Sequence, residues 1–285
     1  MSIKFENVSF TYQLNSPFAC AAIKNINLKI EDNEFVSIIG HTGSGKSTLA
    51  QLMNSLLRPD DGIIVVGDFI VDSKQKKTKG LKNLKKYAGM VFQFPEYQLF
   101  EETVLKDVAF GPKNFGDDEQ TADKKAKEAL ELVGIDSSLY EKSPFELSGG
   151  QKRRVAMAGI LALEPKILIL DEPTAGLDPQ GEKEVMELFK KIHQSGTTII
   201  MISHNMDNVL EYSNRAIVMS KGEIVFDGKP VELFKLDNLT ETYNIASPKV
   251  FTFAKDLINR GFTLNINNVK NISTLVDEIR RGRYE

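Results

Sequence analysis

Two glycine-rich segments and one acidic strand end carry most of the side chains in this sequence that could do chemistry. The first segment, Gly40–Ser47, has the spacing Gly-x-x-x-x-Gly-Lys-Ser. In such a loop, backbone N–H groups surround phosphate oxygens, the lysine reaches the β- and γ-phosphates, and the serine hydroxyl binds Mg²⁺. A chance match in a chain of this length has a probability of about 1%. The segment therefore predicts a nucleotide site made by Gly40, His41, Thr42, Gly43, Ser44, Gly45, Lys46, Ser47 and Thr48.

The acidic strand end predicts the second half of the same site. The apolar run Ile167–Leu170 stops at two carboxylates, Asp171 and Glu172. In parallel sheets, ligands bind at the edge formed by the carboxyl ends of the strands. Asp171 is expected to hold Mg²⁺, directly or through water, and Glu172 to orient or deprotonate the attacking water. A strand that merely ends in an acidic turn is the alternative, and the neighbouring phosphate loop disfavours it.

The second glycine-rich segment consists of Leu147, Ser148, Gly149, Gly150 and Gln151, and it precedes the apolar helical stretch Val155–Leu163. Such a helix N-terminus can bind a second anion. One ATP needs only one phosphate loop. We therefore expect this segment to act on the nucleotide of another subunit.

The elements that must position these residues alternate between strand and helix. The order strand, helix, strand over Lys166–Leu170, Glu182–His193 and Thr197–Ile202 predicts a parallel α/β sheet. Around the phosphate loop we expect a strand at Glu34–Ile39 and a helix at Ser47–Leu57. Further strand-like stretches are Ile3–Phe10, Ile23–Ile30, Ile63–Val71 and Tyr87–Phe92, and a helix is expected between the acids at 117–119 and Gly134.

The order of these motifs resembles the ATP-binding-cassette (ABC) family over about residues 3–230. The resemblance rests on Lys46, Gln93, Leu147–Gln151, Asp171–Glu172, Asp178 and His204. It implies a nucleotide-binding domain over 1–235 with a mixed or parallel sheet, an N-terminal antiparallel β subdomain and a helical subdomain at about 94–160. In that family, two cassettes pair head to tail, and each ATP lies between one phosphate loop and the opposite glycine-rich signature.

The resemblance also implies roles for single residues. Tyr12 would stack on adenine, with a core aromatic as the alternative, and Gln93 would sense Mg²⁺ and couple to a membrane partner. Asp178 would communicate across the dimer, and His204 would contact the γ-phosphate. The implied catalytic set is Glu172, His204 and Gln93, and the implied Mg²⁺ set is Ser47, Gln93 and Asp171.

Two segments, Gly40–Gly43 and Phe94–Phe100, are similar to those of the energy-coupling-factor (ECF) importers. These bacterial systems import vitamins and trace metals with two cassette ATPases, a transmembrane coupling subunit and exchangeable membrane-embedded substrate-binding subunits. The chain is most similar to the second ATPase of the vitamin-type heterodimer. The resemblance implies that residues 236–285 form a small helical or α+β unit that holds the two ATPases together. The ATPase of an importer that uses a soluble binding protein is the nearest alternative.

An aromatic-rich segment directly follows Gln93. Pro95 discourages a regular helix there, and a residue at the nucleotide must be followed by chain that returns to the surface. We expect these side chains to form a docking patch for the transmembrane coupling subunit, with burial in the core as the alternative. They are Phe92, Phe94, Tyr97, Leu99 and Phe100.

Composition excludes several other classes of protein. The 285 residues include 36 basic and 39 acidic ones, a net charge of −3 that argues against nucleic acid as a partner. The roughly 100 residues between Lys46 and Ser148 show no sustained heptads, unlike the cassette ATPases of chromosome maintenance. Cys20 is the single cysteine, so no disulfide framework is expected.

The expected location is the cytoplasmic face of the bacterial cell membrane. The most apolar runs are far shorter than the ~20 residues of a spanning helix, and no signal peptide is apparent. Association with the membrane is therefore expected to be peripheral. Seven lysines between residues 74 and 86 are interpreted as a solvated surface, with weak attraction to anionic headgroups as the alternative: Lys74, Lys76, Lys77, Lys79, Lys82, Lys85 and Lys86.

Overall fold

Among the described residues, the fold is built from two β-sheets and the helices that pack on them. The computed structural model describes residues 3–74, 80–236 and 238–282. Its strands are β1 (Ile3–Tyr12), β2 (Cys20–Ile30), β3 (Phe35–Ile39), β4 (Asp61–Val66), β5 (Phe69–Asp72), β6 (Ala88–Val91), β7 (Ile167–Asp171), β8 (Thr198–Ile202), β9 (Arg215–Ser220) and β10 (Glu223–Gly228). Its helices are α1 (Lys46–Met53), α2 (Leu81–Tyr87), α3 (Val104–Phe115), α4 (Glu119–Leu132), α5 (Gly149–Leu161), α6 (Pro179–Gln194), α7 (Met206–Tyr212), α8 (Pro230–Lys235), α9 (Leu239–Tyr243), α10 (Lys249–Asn259) and α11 (Ile272–Arg281).

The larger sheet has six strands in the order β10-β9-β3-β8-β7-β6. All of its neighbours are parallel except β10, which pairs antiparallel with β9 at one edge. The strands β3, β7 and β8 are almost continuously apolar and buried, because α3–α6 cover one face of the sheet and α1 and the smaller sheet cover the other. In the register of the sheet, Ile202 pairs with both Ile38 and Asp171. The phosphate loop and the acidic strand end thus leave the sheet at the same edge.

The smaller sheet is antiparallel and has the order β2-β1-β4-β5. It is the N-terminal β subdomain that the sequence predicts. The strand-like stretch Ile63–Val71 forms two strands, β4 and β5, which pair as a hairpin that turns at Gly67 with φ 54. A Cβ at Gly67 would lie 2.7 Å from the Tyr87 ring, so this turn requires glycine.

The helical subdomain is built from α3, α4 and α5, which pack on one another and on the larger sheet. The expected helix at Val155–Leu163 begins earlier, at Gly149, because Ser148 and Gln151 form a capping box at its start. The expected helix at Ser47–Leu57 ends earlier, at Met53, because Ser55 lies in the left-handed region with φ 57. The predicted α/β fold with antiparallel and helical subdomains is confirmed.

The C-terminal tail is helical in the residues that the structure describes. Its buried side chains, including Phe251 and Leu275, share one hydrophobic cluster with Val209 of α7 and Val218 of β9. Asn271 of the tail also donates a hydrogen bond of 2.7 Å to Glu211 at the end of α7. The tail therefore shares its core with the preceding residues, and the boundary at residue 236 stays a prediction.

The lysine-rich stretch is described only in part. Lys82 and Lys86 lie over the ring of Phe115, 5.2 and 5.9 Å from its centroid. These two side chains therefore cover an aromatic surface between α2 and α3. Lys76, Lys77 and Lys79 lie outside the described residues.

Candidate functional site: a nucleotide cleft at the edge of the parallel sheet

The phosphate loop is a tight turn between β3 and α1 in which two glycines touch other backbone. Gly40 has φ 146 and Gly45 has φ 104, conformations that residues with a Cβ rarely adopt. A Cβ at Gly40 would lie 2.2 Å from the Met219 carbonyl oxygen, and one at Gly45 would lie 2.5 Å from the Ala22 carbonyl oxygen. Glycine is therefore required at positions 40 and 45 for two reasons: the φ angle is positive, and a Cβ would clash with neighbouring backbone atoms.

Lys46 folds back over this loop. Its ammonium donates hydrogen bonds of 2.8 Å to the Gly40 carbonyl and 2.9 Å to the His41 carbonyl. Burial lowers the pKa of Lys46, and the carboxylates of Glu172 and Asp171 oppose that shift. A positive charge is thus held inside the loop, next to the place where phosphate oxygens would lie.

The two carboxyl groups at the end of β7 have different surroundings. Burial raises the pKa of Asp171, while a hydrogen bond from Ser47 and the charge of Lys46 lower it. Burial also raises the pKa of Glu172 to about 7, although the His204 backbone N–H donates to its Oε2 atom at 3.3 Å. A carboxyl group with a pKa near neutrality suits general base catalysis at physiological pH.

His204 lies beside Glu172, with Nε2 3.4 Å from Oε1. The geometry of this contact is not that of a hydrogen bond, and Glu172 Oε1 has no hydrogen-bond partner among the residues that the structure describes. Burial and then the charge of Lys46 lower the pKa of His204, so its ring is neutral at pH 7. One lone pair of Glu172 is therefore left for another group.

These residues surround one cleft of about 640 Å³, a volume typical of small-molecule sites. The predicted residues that line it are Tyr12, Thr42, Gly43, Gly45, Lys46, Ser47, Thr48, Gln93, Asp171, Glu172 and His204. Cys20, Ala21, Ala22, Ala175 and Ile202 also line it and were not expected from the sequence. Cys20 is there because it pairs with Tyr12 across β1 and β2, so the strand register was the signal that could have found it.

Tyr12 stands at the mouth of this cleft. Its ring is 40% exposed and packs edge-on against Phe10, and its hydroxyl is 3.1 Å from the Thr48 hydroxyl. The side chain is therefore not buried in the core. One face of a fixed ring is left for a planar ligand.

The other predicted residues do not line the cleft. Ser44 is fully buried behind the loop, and the His41 ring contacts the Thr42 carbonyl at 2.8 Å. Leu147 is buried, but Ser148, Gly149 and Gly150 are exposed at the N-terminus of α5. Asp178 is exposed and accepts a hydrogen bond of 2.7 Å from the Gly181 N–H at the start of α6. The second glycine-rich segment is thus open to a partner rather than turned toward this chain's own cleft.

Comparison with known proteins decides the family. A family model described as "ABC transporter" matches residues 23–175, more than half of the chain. The chain belongs to the ABC transporter family. It is 56% identical over 261 residues to the "Energy-coupling factor transporter ATP-binding protein EcfA2" of Streptococcus pneumoniae, covering 92% of this chain and 93% of that protein. The protein of the same description from Streptococcus pyogenes is 53% identical over 265 residues, 93% of this chain and 94% of that protein.

Solved structures of ABC transporter subunits share the fold. The cbiO1 protein of Clostridium perfringens, described as part of the ABC transporter complex cbiONQ, has a TM-score of 0.72 at 39% identity and covers 84% of this chain and 92% of its own. A dimeric ATP-binding cassette, MJ0796, bound to ADP and Pi in a post-hydrolysis state, has a TM-score of 0.70 at 31% identity, covering 80% and 98%. Within residues 3–74, 80–236 and 238–282, no helix has the length and hydropathy that crossing a membrane requires.

Proposed function

We propose that this chain is the ATP-hydrolysing subunit of an energy-coupling factor importer and powers the uptake of vitamins or other micronutrients. The observation that supports the proposal is a cleft lined by the phosphate loop, Asp171, Glu172 and His204 in a chain 56% identical to an ECF ATP-binding protein over 92% of its length. Lys46, Glu172 and His204 lie together around the cleft at the end of the parallel sheet. Because these residues are present, we expect this site to hydrolyse ATP.

In the proposed reaction, ATP binds along the phosphate loop. The adenine stacks on the exposed face of Tyr12, and the β- and γ-phosphates lie against Lys46 and the N-terminus of α1. The loop from Gly40 to Thr48 is already closed around the Lys46 ammonium, so little rearrangement of the backbone is needed. Lys46 exchanges its carbonyl partners for phosphate oxygens.

The same site has a donor set that suits Mg²⁺. Hard oxygen ligands are what this ion prefers, and the Ser47 hydroxyl, the Asp171 carboxylate and the Gln93 side chain meet at one cleft. Burial raises the pKa of Asp171, and Ser47 and Lys46 lower it, so the ionised carboxylate is stabilised by the positive charge that a divalent cation would add to. We propose that these three residues hold Mg²⁺. When bound, the ion would neutralise charge on the phosphate oxygens.

Glu172 is proposed to accept the proton of the attacking water. Its Oε1 atom is the one without a hydrogen-bond partner among the described residues, and its pKa of about 7 favours both accepting and releasing a proton. His204 is proposed to contact the γ-phosphate through its ring, while its backbone N–H holds the other oxygen of Glu172. Gln93 completes this catalytic set.

The exposed segment from Leu147 to Gln151 is proposed to bind the ATP of a second cassette. A helix N-terminus with free N–H groups attracts phosphate, and this one faces solvent in the isolated chain. Asp178, exposed at the start of α6, is proposed to communicate across the same interface. The second cassette would be a related chain, and the tail of residues 236–285 is proposed to stabilise the pair.

The aromatic segment is proposed to dock a transmembrane coupling subunit, which itself works with exchangeable membrane-embedded substrate-binding subunits. Tyr97 is 84% and Phe100 57% exposed, and Phe94 is partly exposed, whereas Leu99 is buried beneath them. Exposed aromatic side chains in one short segment are typical of interface anchors. This assignment would hold the chain peripherally at the cytoplasmic face of the membrane.

The experiment that tests the proposal uses Glu172→Gln in the full chain, purified by a tag together with its membrane partners. Hydrolysis should fall by at least ~100-fold, the usual range of general base catalysis, while ATP binding persists. Glu128→Gln, which changes an exposed carboxylate on α4, is the matched control. Turnover of Glu172→Gln within tenfold of the unmodified complex would refute the assignment of the base. Co-purification with a soluble substrate-binding protein instead of membrane-embedded ones would favour the other type of importer.

A further inference from the structure

Arg153 is a buried charge that lies outside the nucleotide cleft. It is on α5, directly after the glycine-rich segment, and only 3% exposed. Its Nη1 donates to the Ala175 carbonyl at 2.7 Å, and its Nη2 donates to the Pro173 carbonyl at 2.7 Å and to the Glu172 carbonyl at 3.5 Å. One guanidinium therefore donates hydrogen bonds to three carbonyl groups of residues 172–175, a segment whose first residue is the proposed base.

The backbone that Arg153 holds is strained. Glu172 has φ 51, in the left-handed region, which is unfavourable for a residue with a Cβ. Such a conformation persists only where surrounding contacts fix it. The Glu172 N–H donates to the Ile202 carbonyl at 3.1 Å, and the Ala175 N–H donates to the Glu172 carbonyl at 3.1 Å. Arg153 adds its hydrogen bonds to the carbonyls of this turn, and the His204 N–H holds the Glu172 carboxylate itself.

A second charged residue, Glu96 in the aromatic segment, acts on Arg153. Glu96 lies in the short 3₁₀ turn Pro95–Gln98 that packs on α5. Burial lowers the pKa of Arg153, and the negative charge of Glu96 opposes that shift. In the described part of the chain, Glu96 Oε2 and Arg153 Nε are both buried and lack a hydrogen-bond partner. A buried charge needs such a counter-charge, because leaving it alone is strongly destabilising.

A second contact joins the same two regions. The Phe94 ring lies next to Gly176, one residue beyond the carbonyls that Arg153 holds. The aromatic segment thus meets the turn after Glu172 through the Phe94 ring, and it packs on α5, which carries Arg153, through the short turn that contains Glu96. We therefore expect a shift of the segment to reach the turn.

We propose that Arg153 is a positioning residue that links Glu96, in the exposed aromatic segment, to the backbone that aims Glu172. The inference rests on the proposed role of Glu172 as the base. When the segment is displaced, Glu96 moves relative to the guanidinium, and the guanidinium carries the 172–175 turn with it. Arg153 does not line the nucleotide cleft, so its loss should lower the catalytic rate without weakening ATP binding.

Arg153→Lys tests this link in the full chain assembled with its membrane partners. The lysine keeps the positive charge beside Glu96 but has a single compact ammonium in place of a planar fork, so it cannot hold the Pro173 and Ala175 carbonyls together. We expect kcat for ATP hydrolysis to fall by at least about 10-fold, with KM for ATP within about twofold, because a 1 Å misplacement can cost up to about 100-fold. Arg154→Lys is the matched control: the same change at the next position, where the side chain forms an ion pair with Glu184, should leave kcat nearly unchanged.

Glu96→Gln tests the other end of the link. It should lower kcat by itself and add little when combined with Arg153→Lys, because both changes break one connection. Multiplicative losses in the combined variant would overturn the link between Glu96 and Arg153. An unchanged kcat in Arg153→Lys, or a rise in KM alone, would overturn the positioning role.

Two further measurements distinguish a failure of this inference from a loss of activity by misfolding and from a failure of the proposed function. If Arg153→Lys fails to fold, Glu96→Gln combined with Arg153→Met removes both buried charges, a change that proteins often tolerate. A folded form of that combination with the unmodified kcat would overturn the inference. If Glu172→Gln abolishes hydrolysis but the Arg153 variants do not lower kcat, the inference alone has failed. If Glu172→Gln hydrolyses ATP normally, the proposed role of Glu172 is refuted, and with it the function on which this inference rests.

Discussion

Replacing Glu172 by glutamine should stabilise the nucleotide-free chain in a pH-dependent way. The pKa of Glu172 is raised from 4.5 to about 7 in the folded state, mainly by burial. Between those values the folded chain binds more protons than the unfolded one, so stability falls as the pH rises from about 4.5 to 7 and stays low above it. Each pH unit is worth about 1.4 kcal/mol, so ionised Glu172 costs roughly 3 kcal/mol above pH 7. Glutamine has the same shape and no charge, and it avoids this cost.

The measurement is urea unfolding at pH 5 and pH 8, without nucleotide and with a chelator to remove divalent cations. The gain in unfolding free energy of Glu172→Gln over the unmodified chain should be about 2–3 kcal/mol larger at pH 8 than at pH 5, with equal m-values. Glu128→Gln, at an exposed position on α4, should give the same difference at both pH values. An equal gain for Glu172→Gln at both pH values, or a loss at pH 8, would refute the reasoning from burial.

Three other changes test separate parts of the molecule. Gly45→Ala places a Cβ 2.5 Å from the Ala22 carbonyl oxygen, so the phosphate loop must shift and the affinity for ATP should fall by at least about 10-fold, a change of about 1.4 kcal/mol. Ser148→Arg should leave ATP binding by the isolated chain nearly unchanged and block ATP-driven pairing of cassettes, as measured by size-exclusion chromatography. Tyr97→Ala with Phe100→Ala should keep the melting temperature and ATP affinity but weaken co-purification with membrane subunits, because truncating an interface anchor commonly costs about 2 kcal/mol or more.

Each of these changes has a control on the same chain. Gly196→Ala also alters a glycine with positive φ, but nothing lies within 4 Å of the added Cβ; equal losses of ATP affinity would show that crowding at Gly45 is irrelevant. Lys46→Ala should lose ATP binding outright, and Ser148→Arg must not behave like it. Phe18→Ala removes an aromatic that is also exposed, in the β1–β2 connection. Normal assembly of the Tyr97 and Phe100 variant would move the docking surface elsewhere.

The nucleotide site was predictable from the sequence because its signals are local. A strand, a turn that needs glycine at Gly40 and Gly45, and a helix that starts at the lysine follow one another within residues 35–53. The apolar run before Asp171 predicts a strand that is buried on both faces, and such a strand must end at the ligand edge of a parallel sheet. The motif residues and the topology of the parallel sheet therefore point to the same place for the site.

Arg153 illustrates what local signals do not reveal. It lies between two other basic residues, Lys152 and Arg154, and composition alone predicts that all three are exposed. The helical period does hold a signal, because Arg153 is four and eight residues before Met157 and Leu161, which face the core. The partners of its charge come from distant parts of the chain. No local pattern in the sequence specifies them.

The tail shows the same limit on a larger scale. Its amphipathic pattern predicts helices, and the described residues form them. Where these helices pack depends on the apolar side chains that α7, α8 and β9 leave uncovered. That information comes from the tertiary fold. The sequence pattern indicated a separate small unit at the C-terminus, whereas the buried side chains of the tail belong to one hydrophobic cluster with those of α7, α8 and β9.

The position of β3 in the larger sheet has a consequence for how the protein is made. Both strands that flank β3 come late in the chain: residues 35–38 pair with 199–202, and residues 36–39 pair with 215–218. The phosphate loop leaves the ribosome early, but the strand before it has no flanking strand until synthesis has passed residue 202. At about 5–20 residues per second, this interval lasts roughly 8 to 33 s. During that time the apolar β3 lacks both of its flanking strands, and the cleft is incomplete because His204, which lines it, has not yet been made.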